Sequence, residues 1–323
     1  MGTLALSLTG VASNFLVPMS MIETAFAQGA LLGNPGTPKV LLMGVKTSSG
    51  SATPDTVVYG PLGTEAEVIA YFGAGSDIHV QWLAFTAVCK TAPIYAIAVT
   101  ESAGVAATDK ITFVGVASGA GTVKYTIMGR EITIAITNGM AVADMATALR
   151  DAINNYRPHL PVTATANAGE VTVTHRIKGT NGNHVRHRVT ITSGITTTVS
   201  VGASALASGA TDEVYTTALA TLLPNEYDYI LPAINPTTTS DTRFAAVSAQ
   251  IATQAFPTTG IRQQTIICSD TTLGNATTFV IAYNKPRNQV LWQENSEWLP
   301  MEIAAHFAGV RYNTETSFAG AGN

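Results

Sequence analysis

The hydrophobic pattern of this 323-residue chain changes near residue 106 and again near residue 209, and this double change constrains the fold more than any other feature. Outside that block, continuous apolar runs such as residues 94–99 alternate with segments of helical periodicity. Inside it, short Thr- and Val-rich runs such as residues 171–177 alternate apolar with polar side chains. Continuous runs are typical of buried parallel strands, and alternation is typical of half-buried antiparallel strands. The sequence therefore predicts the α/β class, with a split, largely parallel-sheet α/β domain and an inserted β-rich (α+β) domain.

These changes divide the chain into three predicted parts. Residues 1–24 are predicted to be an extended N-terminal arm. Residues 25–105 and 210–323 are predicted to form one discontinuous α/β core domain, and residues 106–209 the inserted β-rich domain. The Gly-, Ser- and Ala-rich stretch 202–209 is expected to be a flexible exit from the insertion. Because an insertion leaves and re-enters a folded host, its two ends are expected to lie close together.

Residues with capping side chains mark where the helices of the core begin. Thr64 and Glu67 form a capping box, and Ser76 is placed to cap the next helix. Asp241 opens a later helix, and Pro300 stands at the start of the last one. This last helix is predicted to present Ile303, Phe307 and Val310 on one face.

The charge content argues against nucleic acid as a partner. Only 12% of the residues are charged and the formal net charge is −4, whereas phosphate binding needs concentrated Lys and Arg. The densest basic group, Arg176, Lys178, Arg186 and Arg188, is spread along predicted strands. A surface with so few charged residues is expected where much of that surface ends up against neighbouring copies.

The N-terminal residues are apolar without being a signal peptide or a membrane span. Ala25-Phe26-Ala27 imitates a cleavage site, but a signal peptide begins with a positive charge and the first Lys or Arg is Lys39. Asn14, Pro18 and Glu23 interrupt the apolar run, which argues against membrane insertion. We therefore interpret this segment as an extended arm.

No pattern in the chain predicts a catalytic, cofactor-binding or metal-binding residue. Gly119-Ala-Gly121 is a fragment of a dinucleotide fingerprint, but Lys124 stands where its third Gly belongs. His184 and His187 differ by an odd number and would point to opposite faces of a strand. They and His175 are expected to be surface histidines of a hairpin rather than metal ligands.

The remaining polar and sulfur-bearing candidates are also expected to be structural. Asp77 and the pair Asp212-Glu213 are predicted to be solvated or capping charges. Cys89 and Cys268 lie in apolar surroundings far apart in sequence, and we expect two buried, reduced thiols.

Several short motifs, taken in order, give the chain a family resemblance. They are residues 14–18, 40–44, 72–76, 94–99, the hairpin 128–130, the strand and Lys-Gly-x-x-Gly-Asn turn of 171–183, and residues 225–230. Each is weak alone, but their order and spacing resemble the contractile tail sheath proteins of Mu-like phages. Family members continue through a C-terminal domain, whereas this sequence stops at Asn323, so a truncated sheath subunit is expected.

The resemblance implies a structural subunit and not an enzyme. Sheath subunits polymerise around a tail tube and contract to drive it through the host envelope. The implied partners are other copies of the subunit, the tail tube protein, the baseplate and the tail terminator, with no cofactor. The implied location is the virion tail, with assembly in the host cytoplasm. The implied assembly residues are those of the arm, namely Asn14, Phe15, Leu16, Val17 and Pro18.

Two other functions remain open from the residues alone. A small-molecule-binding α/β enzyme with a β-rich lid would need convergent polar groups at the carboxyl ends of the parallel strands. Asn235 and Ser269-Asp270 stand there, although they are equally good caps and turn formers. A tail tube, baseplate or adhesin component is disfavoured by the split α/β pattern.

Deleting residues 1–20 should leave the melting temperature of the chain nearly unchanged, because an arm that serves a neighbour adds little to its own subunit's fold. In a sheath-length subunit the same deletion should abolish sheath formation. Calorimetry and electron microscopy measure the two effects. A deletion that unfolds the chain would show that the arm is an internal strand.

Overall fold

The computed structural model describes residues 37–191, 198–222, 227–236, 239–256, 260–261 and 263–320. Asn14, Phe15, Leu16, Val17 and Pro18 lie outside the described residues. The described strands, in chain order, are β1 (Val40–Val45), β2 (Val58–Tyr59), β3 (Ile94–Val99), β4 (Ala106–Val114), β5 (Gly121–Ile127), β6 (Arg130–Ile136), β7 (Val162–Asn167), β8 (Glu170–Lys178), β9 (His187–Ile191), β10 (Thr198–Val201), β11 (Tyr229–Pro232), β12 (Gln264–Ser269) and β13 (Asn288–Trp292).

Seven α-helices accompany these strands in the described part of the chain. They are α1 (Glu65–Phe72), α2 (Asp77–Thr86), α3 (Val142–Asn154), α4 (Thr216–Thr221), α5 (Thr242–Gln254), α6 (Leu273–Ala282) and α7 (Pro300–Gly320). A short 3-10 helix spans Thr180–His184. None of the described helices combines the length and the apolarity needed to cross a membrane.

The main sheet has six strands in the order β13-β12-β11-β1-β3-β2. Every pairing is parallel except that of β2 with β3. All six residues of β1 are buried, as expected for a strand covered on both faces. Leu42 packs with α1, α2 and α7, whereas Leu41 packs with α4, α5 and α6 on the opposite face. The mixed α/β class predicted from the sequence is thus confirmed.

The predicted helix starts are confirmed by hydrogen bonds. The Thr64 hydroxyl accepts from the Glu67 backbone N–H, and the Glu67 carboxylate accepts from the Thr64 N–H. Ser76 Oγ accepts from the His79 N–H, and Asp241 Oδ1 accepts from the first turn of α5. Local patterns therefore fix where these helices begin.

The face that α7 presents to the core differs from the prediction. Phe307 and Val310 are exposed, by 40% and 44%, while Ala304, Ala305 and Ala308 are buried. The reason is a close approach to α2, since a Cβ on Gly309 would stand 2.9 Å from the Phe85 carbonyl oxygen. Small side chains permit this approach at the middle of α7, where Phe307 and Val310 point outward, whereas Met301 and Tyr312 towards its two ends are buried.

The block between β3 and α4 forms two antiparallel sheets. The four-stranded one has the order β10-β4-β8-β7 and the three-stranded one β6-β5-β9. Helix α3 buries Met145, Leu149 and Ile153 against them. The turn from β5 to β6 passes through Met128 and Gly129, both with positive φ, as a tight hairpin requires.

The two ends of this block are joined by reciprocal backbone hydrogen bonds. The Val105 and Ala210 N–H groups each donate to the other residue's carbonyl at 3.1 Å. The expectation of a flexible exit is wrong, because Leu206 is buried and Ala207 exchanges two backbone hydrogen bonds with Thr108. The hydrophobic core of the block also includes Met301 of α7. The division into a split core and a separately folded insertion stays a prediction.

Replacing residues 106–209 by a short Gly/Ser linker should leave the parallel sheet folded but less stable. Because Val105 and Ala210 are hydrogen-bonded to each other, a short linker can span the gap. The entropic cost of closing the linker depends only weakly on its length. Newly exposed Leu299 and Met301 should lower the melting temperature. Amide hydrogen exchange should still show protection in β1, β3 and β12. Loss of that protection would show that the block is part of the core.

Candidate functional site: a buried polar network at the carboxyl edge of the parallel sheet

The 3-10 helix covers the edge at which the parallel strands end. Open α/β sheets bind their ligands in a crevice at this edge. Here the Asn181 side chain donates to the Ala233 carbonyl at 2.7 Å and accepts from the Asn235 N–H at 3.1 Å. Asn235 Nδ2 donates back to the Asn181 carbonyl at 3.1 Å. Because Ala233 and Asn235 directly follow β11, the β-rich block is hydrogen-bonded to the end of the sheet.

Arg243, in the first turn of α5, lies at the centre of this network and is only 2% exposed. Its guanidinium donates to Asp241 at 2.7 Å, to Asn181 at 3.0 Å and to Glu213 at 3.2 Å. Asp212 Oδ1 lies 3.4 Å away. Burial lowers the pKa of Arg243, but the hydrogen bond to Asp241 and the charge of Glu213 outweigh it and raise the pKa above its ordinary value. Arg243 is therefore a fixed cation that three carboxylates surround.

Sequence reasoning did not identify Arg243 as a functional residue. A cation in the first turn of a helix opposes the helix dipole, and this was the available signal that the residue has a specific partner. The partner is Asp241, whose carboxylate caps α5 and offsets the unfavourable interaction of the Arg243 charge with the helix dipole.

The prediction of solvated or capping charges is wrong for Asp77 and Glu213. Glu213 is 3% exposed, and burial raises its pKa against the opposing charge of Arg243. Asp77 is fully buried in the first turn of α2, where its Oδ2 accepts from the Val45 N–H at 3.3 Å. Burial, and then the charge of Glu213, raise the pKa of Asp77 well above its ordinary value. The network therefore holds two carboxyl groups whose pKa lies above the ordinary value because they are buried.

Asp212 is half-buried and acts as a cap. Its Oδ1 accepts from the Thr180 N–H at 2.6 Å, and its Oδ2 accepts from the Thr180 hydroxyl at 3.0 Å. Asp212 thus satisfies the first turn of the 3-10 helix that carries Asn181.

The prediction of surface histidines is wrong, since His175, His184 and His187 are all buried. His184 Nδ1 lies 2.8 Å from Asp270 Oδ1, which follows β12. His187 lies in the block, where its ring nitrogens are 3.0 Å from Tyr125 Oη and 3.0 Å from Asp109 Oδ2.

His175 is also held inside the block. Its Nδ1–H donates to the Ile177 carbonyl at 2.8 Å, and burial lowers its pKa to about 4. The described residues contain no group of three or more His, Cys, Asp or Glu side chains arranged to hold a metal ion.

A second buried contact joins the block to α7. Arg130, the first residue of β6, donates to Glu302 Oε1 at 2.8 Å, and its guanidinium lies 5.4 Å from the centre of the Trp298 ring. Glu302 is 1% exposed, and burial raises its pKa despite the Arg130 charge. The Met301 N–H donates to Asn235 at 2.9 Å and links this contact to the carboxyl-edge network.

The residues that the sequence offered as ligand-binding candidates at this edge, Asn235 and Ser269-Asp270, are engaged with neighbouring groups of the chain. Asn235 bonds Asn181 and Met301, Asp270 pairs with His184, and Ser269 Oγ lies 2.8 Å from Thr271 Oγ1. Chemically, this arrangement is a cross-link between the β-rich block and the sheet. The two thiols agree with the prediction, since Cys89 and Cys268 are free and buried.

Comparison with known proteins finds a similarity to a tail sheath protein. No family model matches it. A curated relative, the Mu-like prophage FluMu tail sheath protein of Haemophilus influenzae, is 29% identical over 194 residues. The chain is similar to this Mu-like tail sheath protein. The match covers 59% of this chain and spans 39% of the length of the FluMu sheath protein. The match confirms the resemblance drawn from the sequence motifs.

Replacing Arg243 by Ala should destabilise this sheath relative by about 3–5 kcal/mol, since it leaves buried carboxylates without a counter-charge. Arg243→Lys should recover little of the lost stability, because a lysine ammonium cannot reproduce the planar set of contacts that the guanidinium makes. Urea unfolding gives the free energies. The control is Arg188→Ala, which breaks an exposed pair with Glu297 and should change stability by about 1 kcal/mol or less. Equal losses for both arginines would contradict the assigned role of Arg243.

Replacing Asp77 by Asn should stabilise the chain increasingly as the pH rises. A folded-state pKa above the unfolded value means that the folded protein keeps a proton that the unfolded chain releases, so stability is lost as pH rises above about 4. Asn removes that loss. Melting temperatures should coincide near the unfolded pKa and separate at pH 8. Asp151→Asn, at an exposed carboxylate, is the control and should show no such trend.

Proposed function

We propose that this chain is a structural subunit of a contractile phage tail sheath. Copies of it polymerise around the tail tube, and contraction of the polymer drives the tube through the host envelope. The observation that carries the proposal is the similarity to the FluMu tail sheath protein. The partners are other copies, the tail tube protein, the baseplate and the tail terminator. The location is the virion tail, after assembly in the host cytoplasm.

Buried ionic contacts support a role in which the subunit moves as a rigid body. The Arg243 network and the Arg130–Glu302 pair join the block to the sheet at two places. Contraction then changes the contacts between subunits and leaves their interiors alone. A small free-energy difference per subunit, summed over a coupled polymer, performs the work without nucleotide.

The arm supplies the linkage between subunits in this proposal. Asn14, Phe15, Leu16, Val17 and Pro18 carry no charge, and an extended apolar segment can add a strand to a neighbour's sheet. Backbone hydrogen bonds then hold the copies together without a specific pocket. Residues 25–105 and 210–323 form the sheath core domain, and residues 106–209 project outward from it, since an inward insertion would collide with the tube.

An enzymatic role is not supported by a specific observation. A lid-covered active site would need free polar groups at the carboxyl edge of the sheet. Asn235 and Asp270 are instead engaged with Asn181 and His184.

Immunogold electron microscopy of phage particles tests the proposal. Antibodies raised against this chain should label the tail along its length, in extended and in contracted particles. Antibodies preadsorbed with the purified chain are the control. Label confined to the head, the fibres or the baseplate would overturn the sheath assignment.

A further inference from the structure

Two arginines of the densest basic group in the sequence lie side by side in the structure. Arg186 directly precedes β9, and Arg188 is the second residue of that strand. Side chains two residues apart on extended backbone point to the same face. Arg176, by contrast, is engaged within the block, since its Nε–H donates to the Leu160 carbonyl at 3.0 Å. Arg186 and Arg188 therefore form a separate basic pair.

This pair lines a cleft of about 220 Å³ between the block and the segment that joins β13 to α7. The block contributes Thr126, Ser204 and the two arginines, and the segment contributes Asn295 and Glu297. We call this opening the Arg186–Arg188 cleft. Polar side chains thus stand on both of its walls.

Arg186 is a half-buried cation whose charge the described residues do not match. One of its NH2 groups donates to Asn295 Oδ1 at 3.0 Å, and Asn295 is a neutral partner. The Nε–H of Arg186 is buried and meets no acceptor in the described part of the chain. A charge removed from water is unfavourable unless a group of opposite charge accompanies it. The position of Arg186 therefore favours an anion in the cleft.

The other charged groups around the cleft leave it with an excess of positive charge. Arg188 pairs with Glu297, and both of these side chains are exposed. Glu131, which lies across β5 from Arg188, is paired with Lys124 at 3.1 Å. Burial lowers the pKa of His187, so this ring adds no charge near neutral pH. Glu297 alone therefore opposes the two arginines within the cleft.

The arrangement of the donors suits a tetrahedral oxyanion better than a planar one. A carboxylate presents two oxygens in one plane, whereas a phosphate group presents three acceptor oxygens in different directions. The guanidinium groups of Arg186 and Arg188 stand on one wall, and the amide of Asn295 stands on the other. Guanidinium groups are also well suited to phosphate, because their N–H groups form a planar fork that matches two of its oxygens.

We propose that the Arg186–Arg188 cleft binds a tetrahedral oxyanion, either inorganic phosphate or the phosphate group of an ester. The anion supplies the counter-charge that Arg186 lacks, and it competes with Glu297 for Arg188. It contacts both walls and so ties the block to the segment that precedes α7. One isolated pair of arginines is no nucleic-acid surface, which requires many phosphate contacts. The inference does not depend on the proposed sheath role.

Isothermal titration calorimetry of the full chain with sodium phosphate tests the site, at fixed pH and with sodium chloride holding the ionic strength constant. Arg186→Gln should weaken phosphate binding about tenfold or more, because charge-assisted hydrogen bonds are the strong ones. Arg188→Gln, at an exposed position, should weaken it several-fold. The control is Arg150→Gln, at an arginine of α3 that pairs with Asp151, and it should leave the affinity unchanged. Melting temperatures without phosphate show that each variant is folded.

Glu297→Gln should change the affinity in the opposite direction. It removes the carboxylate that competes with the anion for Arg188, so phosphate should bind several-fold more tightly. A purely structural role of the Arg188–Glu297 pair gives no such gain. Absence of binding by the unmodified chain would overturn the proposal. So would unchanged binding by Arg186→Gln or Arg188→Gln, or a Glu297→Gln affinity that fails to rise.

Two further probes define the anion. Sodium acetate, at the same ionic strength, should not displace phosphate, and equal competition by acetate would overturn the tetrahedral class. Glycerol 3-phosphate is the ester probe. Binding of both phosphate compounds with similar affinity assigns the site to phosphate esters, and binding of inorganic phosphate alone assigns it to the free ion.

Discussion

The guanidinium of Arg243 is the constraint on which the arrangement of the two halves of the structure depends. Burying an isolated cation is prohibitive, so its position is tolerable only while Asp241, Glu213 and Asn181 are all in place. Asn181 belongs to the β-rich block, and Asp241 begins α5 on the parallel sheet. The block therefore cannot shift relative to the sheet without leaving a buried charge unsatisfied, and the ion network fixes one relative position.

This fixed position has a consequence for the kind of function the fold can support. The carboxyl edge of a parallel sheet is where related architectures bind ligands. In this chain the Asn181 amide bonds the Ala233 carbonyl and the Asn235 N–H there, and His184 pairs with Asp270. Internal cross-links thus engage Asn235 and Asp270, the polar residues that the sequence offered as ligand-binding candidates at this edge. These cross-links join the β-rich block to the parallel sheet.

Local chemistry made much of the fold predictable, and long-range burial set the limit. The strands β1 and β3 and the Thr64 capping box follow from short patterns, so the sequence suffices for them. The burial of Glu213 depends on Arg243, thirty residues away, and that of His184 on Asp270, eighty-six residues away. A single sequence does not show which distant residue such a side chain pairs with, even where, as for Arg243 in the first turn of a helix, it indicates that a partner is needed. Ionisable residues were therefore assigned to the surface by default, and that assignment was wrong.

The outward-facing apolar residues of α7 were also missed because their position depends on long-range packing, here the contact of α7 with α2. The sequence prediction gave weight to the size of Phe307 and Val310, whereas the helix packs through Ala304, Ala305, Ala308 and Gly309. Close contact with α2 requires the small side chains in the middle of α7 to face inward, so Phe307 and Val310 face outward beside β13. The inner packing thus dictates that an apolar groove lies along the open edge of the sheet. The residues that pack α7 against α2 are therefore also the ones that position this groove, which Leu291, Phe307 and Val310 help to line.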